Sequence, residues 1–166
     1  YFAAVEQTEV PSLRGKPVVV CGFPLSRSVV TTASYEARKF GIKAGMPASE
    51  ARRMAPAALF IESNPQKYIA ISLKIVSILC EFSPKVEPYS IDESFIDLTG
   101  CLAAEEHGVA GLAAKIKERI RAETRLSCSI GSGPNKLLAK IATEMHKPDG
   151  FMFIRPEDIA SKVWPL

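Results

Sequence analysis

The stretch KVEPYSIDESFIDLT, residues 85–99, decides how this chain is read. It holds two extended runs, KVEPYSI and SFIDLT, with just Asp92 and Glu93 between them. Two strand-like runs so close together read as a β-hairpin, although Asp-Glu is not a favoured two-residue turn. A structural turn acid accounts for either residue alone. The pair asks for more, because two anions held close repel, and one takes up a proton unless a cation compensates. Mg²⁺ is the usual compensating cation for hard oxygen ligands that also face phosphates. Two such carboxylates with two metal ions can stabilise the attacking and leaving oxygens of an in-line phosphoryl transfer. Asp97 stands at even spacing from Glu93 and odd spacing from Asp92, and reads as a solvated or capping residue.

Working outward, Tyr68, Ile71, Ile75, Ile78, Leu79 and Phe82 recur at helical spacing and predict an amphipathic helix over 66–82. Val109, Leu112, Ile116 and Ile120 mark a second helix, LSCSIG (residues 126–131) a strand, NKLLAKIATEM a helix after a Gly-Pro turn, and FMFI a last strand. From residue 65 the order is helix, strand, strand, helix, strand, helix, strand. That is the ferredoxin-like split βαβ pattern with its first strand expected ahead of Tyr1. Before residue 65, KPVVVCGF and SVVTTAS read as strands, YEARKFGIKAG as a short helix closed by Gly41, MPASEARRMAP as another helix and ALFIES as a strand. The expected fold class is α+β, divided at Asn64–Pro65 into a small α/β domain (1–64) and a ferredoxin-like domain (65–166).

Composition narrows the class. Of the 166 residues 47% are hydrophobic, enough for a core, and no run approaches the ~20 apolar residues of a membrane span. No signal peptide is visible, though the N-terminus opens in mid-pattern. Cys21, Cys80, Cys101 and Cys128 are scattered, none in a Cys-x-x-Cys spacing, so neither zinc nor a disulfide framework is supported. They read as reduced thiols of a cytoplasmic protein. The net charge of +3 lies in residues 1–64, with eight Lys/Arg against five Asp/Glu; residues 65–166 balance at thirteen each. Charge alone implies no polyanionic partner.

The residues around the hairpin nevertheless resemble a known family. YSIDESFIDLTG (89–100) is similar to the second catalytic motif of the Y-family translesion DNA polymerases, in the bacterial DNA polymerase IV branch. YFAAVEQ (1–7) resembles the family's steric-gate segment, VVTTASYEARKFGIKAGMP (29–47) its fingers nucleotide-binding motif, and SIGSGPNKLLAKIATEMHKPDG (129–150) its late palm motif. The resemblance spans essentially the whole chain. It implies a palm (65–166) carrying the acids and a fingers domain (1–64), joined in a template-directed, metal-dependent transfer of a nucleotide from a dNTP to a primer 3′ end. By resemblance Asp92 and Glu93 are catalytic and hold the metals, two Mg²⁺ ions in the intact enzyme. Phe2 is the ring that excludes a 2′-hydroxyl, and Tyr1 is its aromatic neighbour. Thr32, Tyr35, Arg38 and Lys136 contact the triphosphate, a role that suits a guanidinium fork, a point charge and uncharged hydroxyl donors.

Each of these residues has a plainer alternative. Phe2 could be a core aromatic. Tyr35 and Arg38 are three apart and share a helix face, so Arg38 could be a solvated charge. Lys136 and Lys140 could form a polar face. His107 and His146 match no catalytic pattern and read as surface residues, and Trp164 reads as packing near the chain end. The family's first metal-binding Asp precedes the steric gate, and its thumb and little-finger domains follow the palm. Both are expected outside residues 1–166, as is any segment that binds a sliding clamp. A palm–fingers fragment that folds and binds nucleotide weakly without polymerising is the alternative reading of the chain as written. A nucleotidyl cyclase would leave the fingers motif unexplained. The expected partners are primer-template DNA and dNTP, with no membrane and a monomeric state.

Overall fold

Val18–Cys21, the first strand of the chain (β1), has no solvent exposure at any of its four positions. That degree of burial requires neighbours on both edges. It pairs antiparallel with β2 (Val30–Ala33), Val19 opposite Ala33 and Val20 opposite Thr32, with an irregularity at Val20/Cys21. It pairs parallel with β3 (Leu59–Glu62), Val18 opposite Leu59 through Cys21 opposite Glu62. A near-continuous β-branched run is what a strand covered on both faces needs. The computed structural model describes residues 1–101 and 108–165, so His107 lies outside the described residues. The chain forms two compact bodies, Tyr1–Ala70 and Ile71–Leu166.

In the first body the strands are flanked by α1 (Phe2–Glu9), α2 (Tyr35–Arg38) and α3 (Ala48–Met54). Ser34 caps α2 by accepting from Ala37 N at 3.2 Å. The helix ends at Arg38 with Lys39 as its C-cap; Gly41, expected to close it, lies three residues beyond Arg38, with a left-handed φ of +81° and its N donating to Arg38 O at 2.9 Å. Val19, Val30, Ala33, Ala37, Ile42, Ala51, Ala55 and Ala58 form the core. The small side chains let the short helices approach the sheet closely. Helix α1 was not anticipated. Its eight residues carry Phe2, Ala3, Val5 and Glu6 on the inward side, and the apolar spacing there is too short to stand out as a helical period.

Helix α4 (Pro65–Cys80) opens with Pro65 in its first position, and Asn64 Oδ1 accepts from Lys67 N at 3.2 Å. The division between the two bodies falls inside this helix. In the second body, α5 (Gly108–Thr124) packs Leu112, Ile116 and Ile120 against Ile78 and Leu79. Hairpin strands β4 (Val86–Pro88) and β5 (Ser94–Ile96) add Val86 and Ile96 to this core. Strands β6 (Ile130–Ser132) and β7 (Phe151–Phe153) pair in parallel, Gly131 opposite Met152, and α6 (Lys136–Met145) packs on them through Leu138 and Ala142.

The expected order of elements is present, with differences in detail. Among the described residues the strands of this body form two separate pairs, β4–β5 and β6–β7. LSCSIG is strand only from Ile130, because its pairing begins opposite Phe151. Trp164 is 78% exposed rather than packed, following a single π-turn over Ile159–Val163.

The contact of α6 with β6 passes over Gly131. A Cβ there would lie 2.1 Å from Ala139 O and 2.3 Å from Thr143 N, both backbone atoms of α6. Gly131→Ala must therefore push the helix off the strand. Overpacking of this kind costs about 1–3 kcal/mol or more. The expected result is a lower urea midpoint at unchanged slope; an unchanged midpoint would show that the helix is not pinned there.

Candidate active site

In the second body the site is built on the β4–β5 turn. The ladder closes at Pro88 opposite Ser94, so the connection is residues 89–93 rather than the two-residue turn expected. The reason is backbone bonding: Tyr89 N and Ser90 N both donate to Glu93 O, at 2.9 and 3.0 Å, and curl the chain into a wider loop. Asp92 and Glu93 end this loop. Asp92 is exposed, and Ser90 Oγ donates to its Oδ1 at 2.9 Å. Glu93 receives Lys140 Nζ on both carboxylate oxygens, at 2.8 and 2.7 Å. Asp97 is turned to a structural task. It accepts from Thr99 N at 2.9 Å and faces Lys85 at 3.3 Å. The Thr99 bonds foremost, with Lys85 behind them, hold its carboxyl down at about 2. That is the capping role expected for it.

The lysines come from α6, whose start is fixed by Asn135, with Oδ1 accepting from Leu138 N at 2.9 Å. Lys136 and Lys140 are one helical turn apart and so share a face. Lys136 pairs with Glu87 and lies 5.6 Å from the Phe95 ring centre. Lys140 lies 5.4 Å from the Tyr89 ring centre, and the two rings meet edge-on at 5.6 Å. Each lysine thus has a carboxylate and an aromatic face on the hairpin. Bonding to Glu93 raises the Lys140 pKa, so it stays charged.

The first body assembles the other predicted residues. The Phe2 ring stacks on Tyr68 at 4.2 Å with the planes 9° apart, and Tyr1 lies against Phe2 at 5.6 Å. Tyr1 Oη donates to Tyr68 O at 2.8 Å. Tyr68 is fully buried, and its hydroxyl donates to Glu6 Oε1 at 2.7 Å. Glu6 is itself buried and takes Lys67 Nζ at 3.0 and 3.2 Å, so the buried charge is paired and bonded as burial requires. Thr32 Oγ1 accepts from Ala3 N at 3.0 Å, which ties the predicted fingers hydroxyl to α1. Tyr35 and Arg38 share a face as expected, the guanidinium 5.2 Å from the ring centre, while Arg38 Nε donates to Ala33 O at 3.1 Å.

Sequence reasoning missed Glu6, Lys67 and Tyr68 as a set. Glu6 follows Phe2 by four residues, so the two share one face of α1, and that spacing is the signal that could have found it. Asp92, Glu93 and Lys136 belong to the second body; Tyr1, Phe2, Thr32, Tyr35 and Arg38 belong to the first.

Comparison with known proteins defines the class. The fold matches the Y-family DNA polymerase chimera Dbh-Dpo4(243-245)-Dbh with a TM-score of 0.91 and 38% identity, over 96% of this chain and 47% of that one. DinB from Sulfolobus solfataricus matches at 0.89 and 38%, over the same shares. DNA polymerase IV of Pelotomaculum thermopropionicum is 44% identical over the whole chain and 41% of its own length. That of Halorhodospira halophila is 48% identical over 95% of the chain and 44% of its own length. The fold is thus the palm and fingers of a Y-family polymerase. The model of the impB/mucB/samB family matches residues 1–144, and the chain belongs to that family. It spans less than half the length of these relatives.

The buried Tyr68 hydroxyl gives a test in alkali. Burial first, then the bond to Glu6, pushes its pKa up to about 12, against an ordinary value of about 10. A raised folded-state pKa contributes stability that is complete below about pH 10 and is lost as the pH climbs through about 12. The Lys67 pKa is raised too, its bonds to Glu6 and Glu9 outweighing burial, and it acts in the same direction. Tyr68→Phe should therefore be less stable than wild type at pH 8, by the ~1.5–3 kcal/mol of a hydrogen bond to a charged group. The gap should narrow between pH 10 and 12. A gap constant with pH, read from urea midpoints, would remove Tyr68 from the network.

Proposed function

We propose that the chain supplies the palm and fingers of a template-directed DNA polymerase that carries out translesion synthesis. In this reading it joins a deoxynucleotide to a primer 3′ end on a DNA template. The observation that carries the reading is the β4–β5 turn. There two adjacent acids and two α6 lysines form one cluster, so that anionic oxygens for a metal and, in Lys136, a cation for a triphosphate occur together. The family membership supports it, as do neighbours described as an insertion ternary complex and a post-insertion binary complex of Dbh DNA polymerase.

Asp92 and Glu93 are hard oxygen donors, and Glu93 already holds a cation in Lys140. Their chemistry fits a divalent metal ion, in this reading Mg²⁺. Among the described residues no group of three or more His, Cys, Asp or Glu could hold a metal, so further ligands belong to water, nucleotide or residues beyond those described. Once bound, such an ion supplies charge stabilisation at the reacting phosphate. Lys136 exchanges its exposed pairing with Glu87 for a phosphate, a small loss because exposed ion pairs are worth ~0–1 kcal/mol. Arg38 spends Nε on Ala33 O, which leaves its terminal nitrogens as donors, and Tyr35 and Thr32 add hydroxyls. Phe2, held from below by Tyr68 and flanked by Tyr1, is the rigid surface against the sugar. A 2′-hydroxyl there would meet both a clash and a site without a hydrogen-bond partner. The proposal extends to a monomer in the cytoplasm, where the four free cysteines would stay reduced, and to clamp contact through sequence beyond residue 166.

Two substitutions test this in the full-length protein. Asp92→Ala should abolish primer extension with the fold intact, and near-normal extension would sink the assignment. Phe2→Ala should raise ribonucleotide over deoxynucleotide efficiency by orders of magnitude, a ratio insensitive to the folded fraction. If Phe2 were merely core, both activities would fall together with the ~3–5 kcal/mol lost from such a truncation, and the ratio would not move.

A further inference from the structure

The two acids at the hairpin turn are not treated alike. Asp92 has a neutral partner, the Ser90 hydroxyl. Glu93 has a full cation on both oxygens, Lys140 Nζ at 2.8 and 2.7 Å. The lysine is placed with some care. Asn135 fixes the first turn of α6, Lys136 docks on Glu87 one turn earlier, and the Tyr89 ring borders the ammonium at 5.4 Å. On the other side the Glu93 carbonyl is fixed by Tyr89 N and Ser90 N. The backbones that carry both partners are therefore fixed relative to each other within this body. The Lys140 charge on Glu93 offsets part of the repulsion between the two adjacent carboxylates.

We propose that Lys140 is the resident counter-cation of Glu93: it holds the carboxylate in position before a divalent ion arrives, and then yields it, so that it sets how tightly the ion binds. This rests on the reading of Glu93 as a metal ligand. Lys140 touches neither nucleotide nor metal in this scheme and is a positioning residue. Two effects of opposite sign follow from removing it. Without the ion, the acids lose their compensating charge and the turn is less stable. With the ion, a competitor for Glu93 is gone and binding tightens. A mere surface ion pair would give the first effect faintly and the second not at all.

The test is Mn²⁺ binding to the full-length protein by calorimetry, together with thermal midpoints in chelator, for wild type, Lys140→Gln, Lys140→Arg and Glu93→Gln. Lys140→Gln is expected to bind Mn²⁺ about two- to five-fold more tightly, the factor that corresponds to an exposed ion pair, and to melt earlier in chelator. Lys140→Arg should match wild type in both. Glu93→Gln should bind Mn²⁺ more weakly. If Glu93→Gln weakens binding while Lys140→Gln leaves it unchanged or weaker, Lys140 is not the competitor and the inference fails, with Glu93 still a ligand. If Glu93→Gln binds as wild type does, the ligand reading fails and takes the inference with it.

Discussion

A buried carboxylate organises the first body. Glu6 sits inside α1 with almost no exposure, and it can be charged there because Tyr68 and Lys67, on the first turn of α4, both donate to it. Removing either partner would leave an under-bonded charge, which is far more costly than never having built the pair. The network pins α1 to α4, and pinning α1 orients what it carries. Phe2 is laid flat on Tyr68, Tyr1 bonds the Tyr68 carbonyl, and Ala3 N reaches back to Thr32 on β2. A ring held on one face by stacking and at its backbone by a helix has little freedom to swing aside.

Much of this fold was legible because its strongest signals are local. The VVVC run of β1, the Ile and Leu period of α4 and α5 and the Asn135 cap of α6 each encode their element within a few residues. What was not legible depends on partners distant in sequence. Helix α1 is short, and its inward face includes a glutamate, so a hydrophobic pattern does not reveal it. The hairpin loop is wider than the strand spacing suggests because two backbone donors converge on one carbonyl, which no side-chain pattern encodes. Strand β6 begins late because pairing, rather than propensity, sets its start. Asp97 was legible as a cap, since an acid two residues before Thr99 is placed to bond its N–H.

The predicted site residues fall in two groups that the structure builds by different means. The acids and Lys136 rely on the register of a hairpin against a helix, with exposed ion pairs that are individually weak and readily exchanged. The aromatic group relies on buried bonds that do not exchange. The pairing of Lys140 with Glu93 was invisible in sequence. Forty-seven residues separate the partners, and Lys140 differs from any solvated helix lysine only by standing one turn from Lys136.

That one-turn spacing makes α6 a ruler. Its two lysines meet Glu87 and Glu93 because a helix advances 3.6 residues per turn, so positions four apart face the same way. Deleting one residue between them would rotate Lys140 by about 100° relative to Lys136, and no choice of side chain would restore both contacts at once. The number of residues from 136 to 140 is therefore fixed by the two contacts, and so is the number from 87 to 93, which measures the opposite side. Chain length is thus a heritable constraint here in its own right, beside residue identity at positions such as Leu138, which packs in the core.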